Sequence, residues 1–157
     1  RWPAMGSMNS SRSRRQRLPD PMQATAILET ALYVADLGAA EAFYRDVIGL
    51  PIITRVEGRH SFFRCGEAVL LLFNPDATKL PPSNPAMPVP PHGAVGEGHV
   101  CFRATADELD SWRALFDGKG IEVEADFRWP SGGRSIYVRD PSGNSVEFAE
   151  AKIWGLE

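Results

Sequence analysis

Three side chains that are remote in sequence can do metal chemistry together: Glu29, His99 and Glu147. Each stands in a short apolar run that reads as β-strand. Glu147 lies between Val146 and Phe148, in a stretch built to be half buried. A lone carboxylate there is costly unless it is paired or binds a cation. His99 opens the run GHVCFR, residues 98–103, and Glu29 sits in AILETALYV, residues 26–34. Two carboxylates and one imidazole suit a single divalent ion, Mn, Fe, Co, Ni or Zn, with positions left open for water or substrate. The two hard carboxylates lean the choice towards Fe or Mn. A single His on a strand is more often an ordinary core or surface group, but here all three residues occupy matching places in an internal repeat.

The first copy begins with the strand at 26–34. Asp36 is placed to cap a helix on which Ala39, Ala42, Phe43 and Val47 recur at helical spacing, and Gly49 stops it. Strands follow at Leu50–Val56, His60–Arg64 and Ala68–Phe73, with Cys65-Gly66-Glu67 as a turn. The second copy begins at 98–103. Thr105 or Asp107 caps a helix with Leu109, Trp112, Leu115 and Phe116 on one face, and Gly118 and Gly120 end it. Ile121–Phe127, Ser135–Arg139 and Ser145–Ala149 are its further strands. Both copies read β-α-β-β-β. Glu29 stands nearly as far before Gly49 as His99 stands before Gly120, which marks an internal duplication. Glu29 and His99 are therefore equivalent. The place equivalent to Glu147 in the first copy is the apolar Leu71. With the two first strands side by side, Glu29, His99 and Glu147 can meet on one concave sheet face.

Two connections stand out. Asp140-Pro-Ser-Gly-Asn144 is a tight turn: Pro fixes φ, Gly takes φ > 0, and Asp and Asn bond to nearby backbone. Between the copies, Asn74 to Gly98 holds seven of the chain's 13 prolines, too many for a strand or helix, so it reads as a lid, a binding loop or a linker.

The bulk properties narrow the function classes. The chain of 157 residues is about one domain, and its 43% apolar content suffices for a core. No apolar run approaches the ~20 residues of a membrane span. Two cysteines, Cys65 and Cys101, form no disulfide framework, so a reducing cytoplasm is the default compartment. Residues 1–21 carry five Arg and one acid and read as a disordered leader or an expression-tag remnant. Without them the charge is −7, which argues against nucleic acid as a partner.

The motifs ETALYVADLGAAEAFYRDVIGLP, GHVCF and SIYVRDPSGNSVEF resemble those of the vicinal oxygen chelate superfamily, the glyoxalase/bleomycin resistance protein/dioxygenase family, over about residues 26–150. The resemblance implies an α+β fold: two βαβββ modules in tandem forming a U-shaped mixed-sheet cup. Module one would span 26–74, the Pro-rich loop 75–97 and module two 98–150, within a single glyoxalase-like domain at 22–157. It also implies one bound divalent metal ion, a small-molecule substrate and a homodimer, often with modules exchanged so that each cup draws on both chains. The family's ligand positions fall on Glu29, Leu71, His99 and Glu147. Glu29 stands where His or Gln is commoner. Leu71 replaces the glutamate that glyoxalase I members use as fourth ligand and base, which counts against glyoxalase I activity. The expectation is a metal-dependent lyase, isomerase or transferase acting on a small oxygen-chelating molecule. The alternatives are an extradiol-type Fe(II) dioxygenase and a metal-free protein that sequesters a drug or toxin.

Other residues fall around this centre. Tyr137 matches a position that faces substrate in the family's thiol transferases, and its phenol suits proton donation; the alternative is a core aromatic. Ser135 shares its face. Cys101, two residues after His99, either lines the pocket or fills space. His60, Phe62 and Arg64 share one strand face, with His60 as base and Arg64 as anion clamp if that face lines the cup. Trp129 is placed to cap the pocket. His92 is either a lid residue or a surface histidine.

Overall fold

A computed structural model describes residues 23–156. The leader proposed at 1–21 lies outside the described residues. Module one contains β1 (Glu29–Tyr33), α1 (Leu37–Ala42), β2 (Ile52–Val56), β3 (His60–Cys65) and β4 (Ala68–Phe73). Module two contains β5 (His99–Arg103), α3 (Ala106–Gly118), β6 (Ala125–Arg128), β7 (Arg134–Arg139) and β8 (Ser145–Ala149). The sheet orders are β1-β4-β3-β2 and β5-β8-β7-β6, so the two copies share one topology. In each, the first strand runs parallel to the last and the other pairs are antiparallel.

Local signals place the helices. The Asp36 carboxylate accepts from the Ala39 amide at 3.0 Å and starts α1, which passes into a π-helical turn at Phe43–Val47. Thr105, rather than Asp107, caps α3, with Glu108 reaching back to the Thr105 amide in a full capping box. One apolar core runs through both modules, from Leu32, Val34 and Tyr44 to Phe116, Val146 and Phe148. Trp112 on α3 lays its ring against Phe148, with centroids 4.4 Å apart. No helix of the described residues is long and apolar enough to cross a membrane.

The Asp140–Asn144 turn also fastens the modules together. Asp140 Oδ1 accepts from the backbone amides of Ser142 and Asn144, which shapes the turn. Its Oδ2 accepts from the Tyr44 hydroxyl of module one at 2.9 Å. Asn144 donates to the Tyr33 carbonyl at the end of β1 and accepts from the Gly98 amide at 2.7 Å. A Cβ on Gly98 would lie only 3.0 Å from Asn144 Oδ1, so the close approach there favours glycine.

Two sequence expectations need correction. The Pro-rich loop does hold a short helix, α2 (Pro75–Thr78). Pro75 sits in its first turn, where a missing N–H costs nothing, and the Asn74 side chain caps it. The strand expected at Ile121–Phe127 begins only at Ala125, because Ile121 and Val123 pack against the core instead of joining the ladder.

Candidate metal centre

The register places the candidate residues in rows across each sheet. In module two, His99 pairs with Ser145, and Ser145 with Arg139. The next row on that face is Cys101, Glu147 and Tyr137, and the one after holds Ala149 and Ser135. In module one the matching rows are Glu29, Val69 and Arg64, then Ala31, Leu71 and Phe62, then Tyr33, Phe73 and His60. The equivalences of Glu29 with His99 and of Leu71 with Glu147 therefore hold residue for residue.

His99 and Glu147 come together. His99 Nε2 lies 3.2 Å from Glu147 Oε2, and Glu147 is only 6% exposed. The other oxygen, Oε1, is buried with no hydrogen-bond partner. His99 Nδ1 is 3.2 Å from the Ser145 carbonyl, which only accepts, so that nitrogen carries a proton. A neutral ring then points the Nε2 lone pair at an acceptor-only carboxylate. Two lone pairs at this separation need a proton or a cation between them. Together with the orphaned Oε1, this donor pair fits a divalent cation.

Glu29 is not part of this pair within one chain. It lines a separate cavity of about 700 Å³ on module one, with Leu71, Phe62 and His60. Among the described residues, no group of three or more His, Cys, Asp or Glu side chains forms a metal-binding cluster. The first strands do approach each other: Ala31, Tyr33 and His99 border one small cavity of about 220 Å³.

Around the pair, aromatic rings form a line across module two. His99 stacks on Tyr137 with centroids 6.3 Å apart, Tyr137 on Phe127 at 6.0 Å, and Phe127 meets Trp129 at 4.9 Å. Burial and the neighbouring Glu147 push the Tyr137 phenol up to about 12. Local desolvation and the same carboxylate push the Cys101 thiol up to about 12, although the residue keeps solvent contact. Both groups rest neutral beside Glu147. Ser135 is fully buried, and its hydroxyl accepts from the Trp129 indole at 2.8 Å, so it positions Trp129.

On module one, His60 does face the cup. Its ring stacks on Phe62 with centroids 4.0 Å apart, and Arg59 Nη1 lies 2.8 Å from its Nδ1. Arginine only donates, so Nδ1 accepts and a neutral His60 carries its proton on Nε2. Burial and the Arg59 charge lower the His60 pKa. Arg64 is exposed in the Glu29 row, away from the lining of the 700 Å³ cavity.

The sequence reading passed over Arg59 and Tyr33. The Tyr33 hydroxyl lies 2.7 Å from His92 Nδ1, which ties the Pro-rich loop to module one and places His92 in the lining of the 700 Å³ cavity. The alternation along β1 places Tyr33 on the Glu29 face and could have flagged it.

Comparison with known proteins agrees with this architecture. The family model of the Glyoxalase/Bleomycin resistance protein/Dioxygenase superfamily matches residues 26–148. A crystal structure of lactoylglutathione lyase from Agrobacterium tumefaciens is 50% identical, with a TM-score of 0.82, covering 86% of this chain and 100% of that one. A glyoxalase/bleomycin resistance protein/dioxygenase from Nocardioides is 21% identical at a TM-score of 0.64, covering 83% and 86%. A genomically encoded fosfomycin resistance protein from Listeria monocytogenes is 19% identical at 0.59, covering 82% and 95%. The last two share the fold. No curated protein matches the chain.

Proposed function

The chain belongs to the Glyoxalase/Bleomycin resistance protein/Dioxygenase superfamily, and on that premise we propose that it is a divalent-metal-dependent enzyme. Its substrate is a small molecule presenting two neighbouring oxygens, and its reaction is of lyase, isomerase or transferase type. The observation that carries this reading is the buried Glu147 carboxylate, with one oxygen unpartnered and the other 3.2 Å from His99 Nε2.

His99 and Glu147 supply two ligands, and Glu29 of a second copy supplies the third in a homodimer. Ile27, two residues before Glu29 on the same side of the extended chain, is 79% exposed, as a residue covered by another copy would be. A bound divalent ion supplies Lewis-acid polarisation of the two substrate oxygens. Tyr137, in the Glu147 row, offers its phenol proton to the substrate. Phe127 and Trp129 shield this side from water. His60, protonated on Nε2, donates from the module one side.

The name of the 50% identical structure favours a lyase. Leu71 leaves no carboxylate at the module one position that matches Glu147, so a proton taken from substrate must go to another base. The apolar cavity on module one favours a second reading, metal-free sequestration of a ligand, whose mark is stoichiometric binding unaffected by chelator.

Mixing variants tests the shared site. Glu29→Gln and Glu147→Gln homodimers each bind little Mn²⁺. After subunit exchange, the heterodimer carries one intact site and recovers Mn²⁺ binding. A mixture that binds no more Mn²⁺ than its parents overturns the shared site.

A further inference from the structure

The Pro-rich loop does more than join the modules. Leu71 and Phe73 are buried, at 7% and 6% exposure, yet neither belongs to the main core. They lie on the opposite face of β4, where the loop covers them. The space between is the cavity of about 700 Å³, within the range of roughly 300–1,000 Å³ typical of small-molecule sites. Its floor is Phe62, Leu71 and Phe73; its roof is Met87, Val89 and Pro90.

Flat surfaces dominate the floor. Phe62 meets Phe73 edge to face at 5.3 Å and stacks on His60 at 4.0 Å. At the rim, the Arg59 guanidinium stands 5.9 Å above the Phe73 ring. Among the described residues Arg59 has no carboxylate partner within ion-pair distance, unlike Arg45, Arg55, Arg113, Arg134 and Arg139. Arg59 and His60 also border the neighbouring cavity of about 530 Å³, so their edge is the junction of two open spaces. Arg59 brings only donors, and a neutral His60 brings Nε2–H. An anion satisfies both, while a flat apolar body fills the slot behind them.

We propose that module one and the Pro-rich loop enclose a receptor for a flat apolar acid, such as an aromatic carboxylate, whose anionic group is held by Arg59 and His60. The inference names the substrate class of the site proposed above and rests on that reading for its catalytic meaning. Glu29, the cavity's one lining carboxylate, is committed there to the metal.

Calorimetry on the full chain tests it, with 2-naphthoate and the uncharged 2-naphthalenemethanol as probes, in chelator-treated and Mn²⁺-loaded protein. Chelator-treated protein binds naphthoate about tenfold more tightly than the alcohol, the effect of one charge-assisted contact. Arg59→Gln removes that preference, weakening naphthoate binding about tenfold more than alcohol binding. Met87→Asp, on the exposed roof, weakens both probes. Equal binding of the two probes, or a preference that survives Arg59→Gln, overturns the inference. Mn²⁺ titration of the same samples separates the two readings. Mn²⁺ binding without naphthoate binding overturns the acid receptor alone; naphthoate binding without Mn²⁺ binding overturns the metal reading alone.

Discussion

Across module two, one row of the concave sheet reads Cys101, Glu147 and Tyr137; across module one the same row reads Ala31, Leu71 and Phe62. The backbones repeat, with equal strand order and equal register. The chemistry does not. Module two carries a buried acid, an imidazole and a phenol. Module one carries an open apolar slot bordered by a loop, with one carboxylate in its lining. Duplication thus supplied two equivalent frames, one carrying polar and ionisable side chains in its central row and the other apolar ones. A frame of paired strands tolerates this because its stability comes from the opposite face, where Leu70, Leu72, Val146 and Phe148 build the shared core.

Exchanging the two central residues breaks the comparison most severely. Leu71→Glu replaces a buried apolar side chain by a carboxylate on the cavity floor, with the Arg59 guanidinium only at the rim, and should cost about 3 kcal/mol in urea unfolding. Glu147→Leu should do the reverse in chelator-treated protein, adding about 1 kcal/mol by removing an unpartnered buried oxygen. If both changes destabilise equally, the two faces are not the opposites described.

Asn144→Ala sharpens the comparison by loosening the fastener between the frames. It strands the Gly98 amide and the Tyr33 carbonyl and should cost about 2–3 kcal/mol in the same assay. A loss as small as that of an ordinary surface substitution would place the fastening elsewhere.

The smallest effect concerns pH. His60 is held below its usual value of 6.5, by burial and then by Arg59; Glu29 and His92 line the same cavity. The unfolded chain therefore binds the His60 proton at a higher pH than the folded chain. The stability contribution is complete above about 6.5 and declines as pH falls towards the lowered folded value. His60→Asn should flatten that part of the stability–pH curve. An unchanged slope would show that His60 titrates as it does in water.

Much of this was readable from residue order. The apolar periods and the spacing of Glu29, His99 and Glu147 gave the duplication, and the register matched it residue by residue. The capping residues Asp36 and Thr105 acted locally, so local reasoning found them. The dual role of Asp140 and Asn144 was hidden, because their partners Tyr44 and Tyr33 are remote in sequence. Arg59 was overlooked for a related reason. Its meaning lies in the missing carboxylate and in the Phe73 ring beneath it, which only folding brings together. The sequence also allowed Glu29 to join His99 and Glu147 within one chain, whereas it lines the cavity on module one, which is why the proposed site takes its third ligand from a second copy.

The central claim is that Glu147, His99 and Glu29 hold one ion. Elemental analysis of protein purified without added metal, set beside Glu147→Gln and Glu29→Gln prepared identically, tests it most directly. About one divalent ion per chain in the parent is predicted, with a drop in both variants beyond the ~10–100-fold loss of affinity that removing an outer-shell partner brings. Full metal occupancy in both variants, or none in the parent even after Mn²⁺ or Fe²⁺ is supplied, would contradict it.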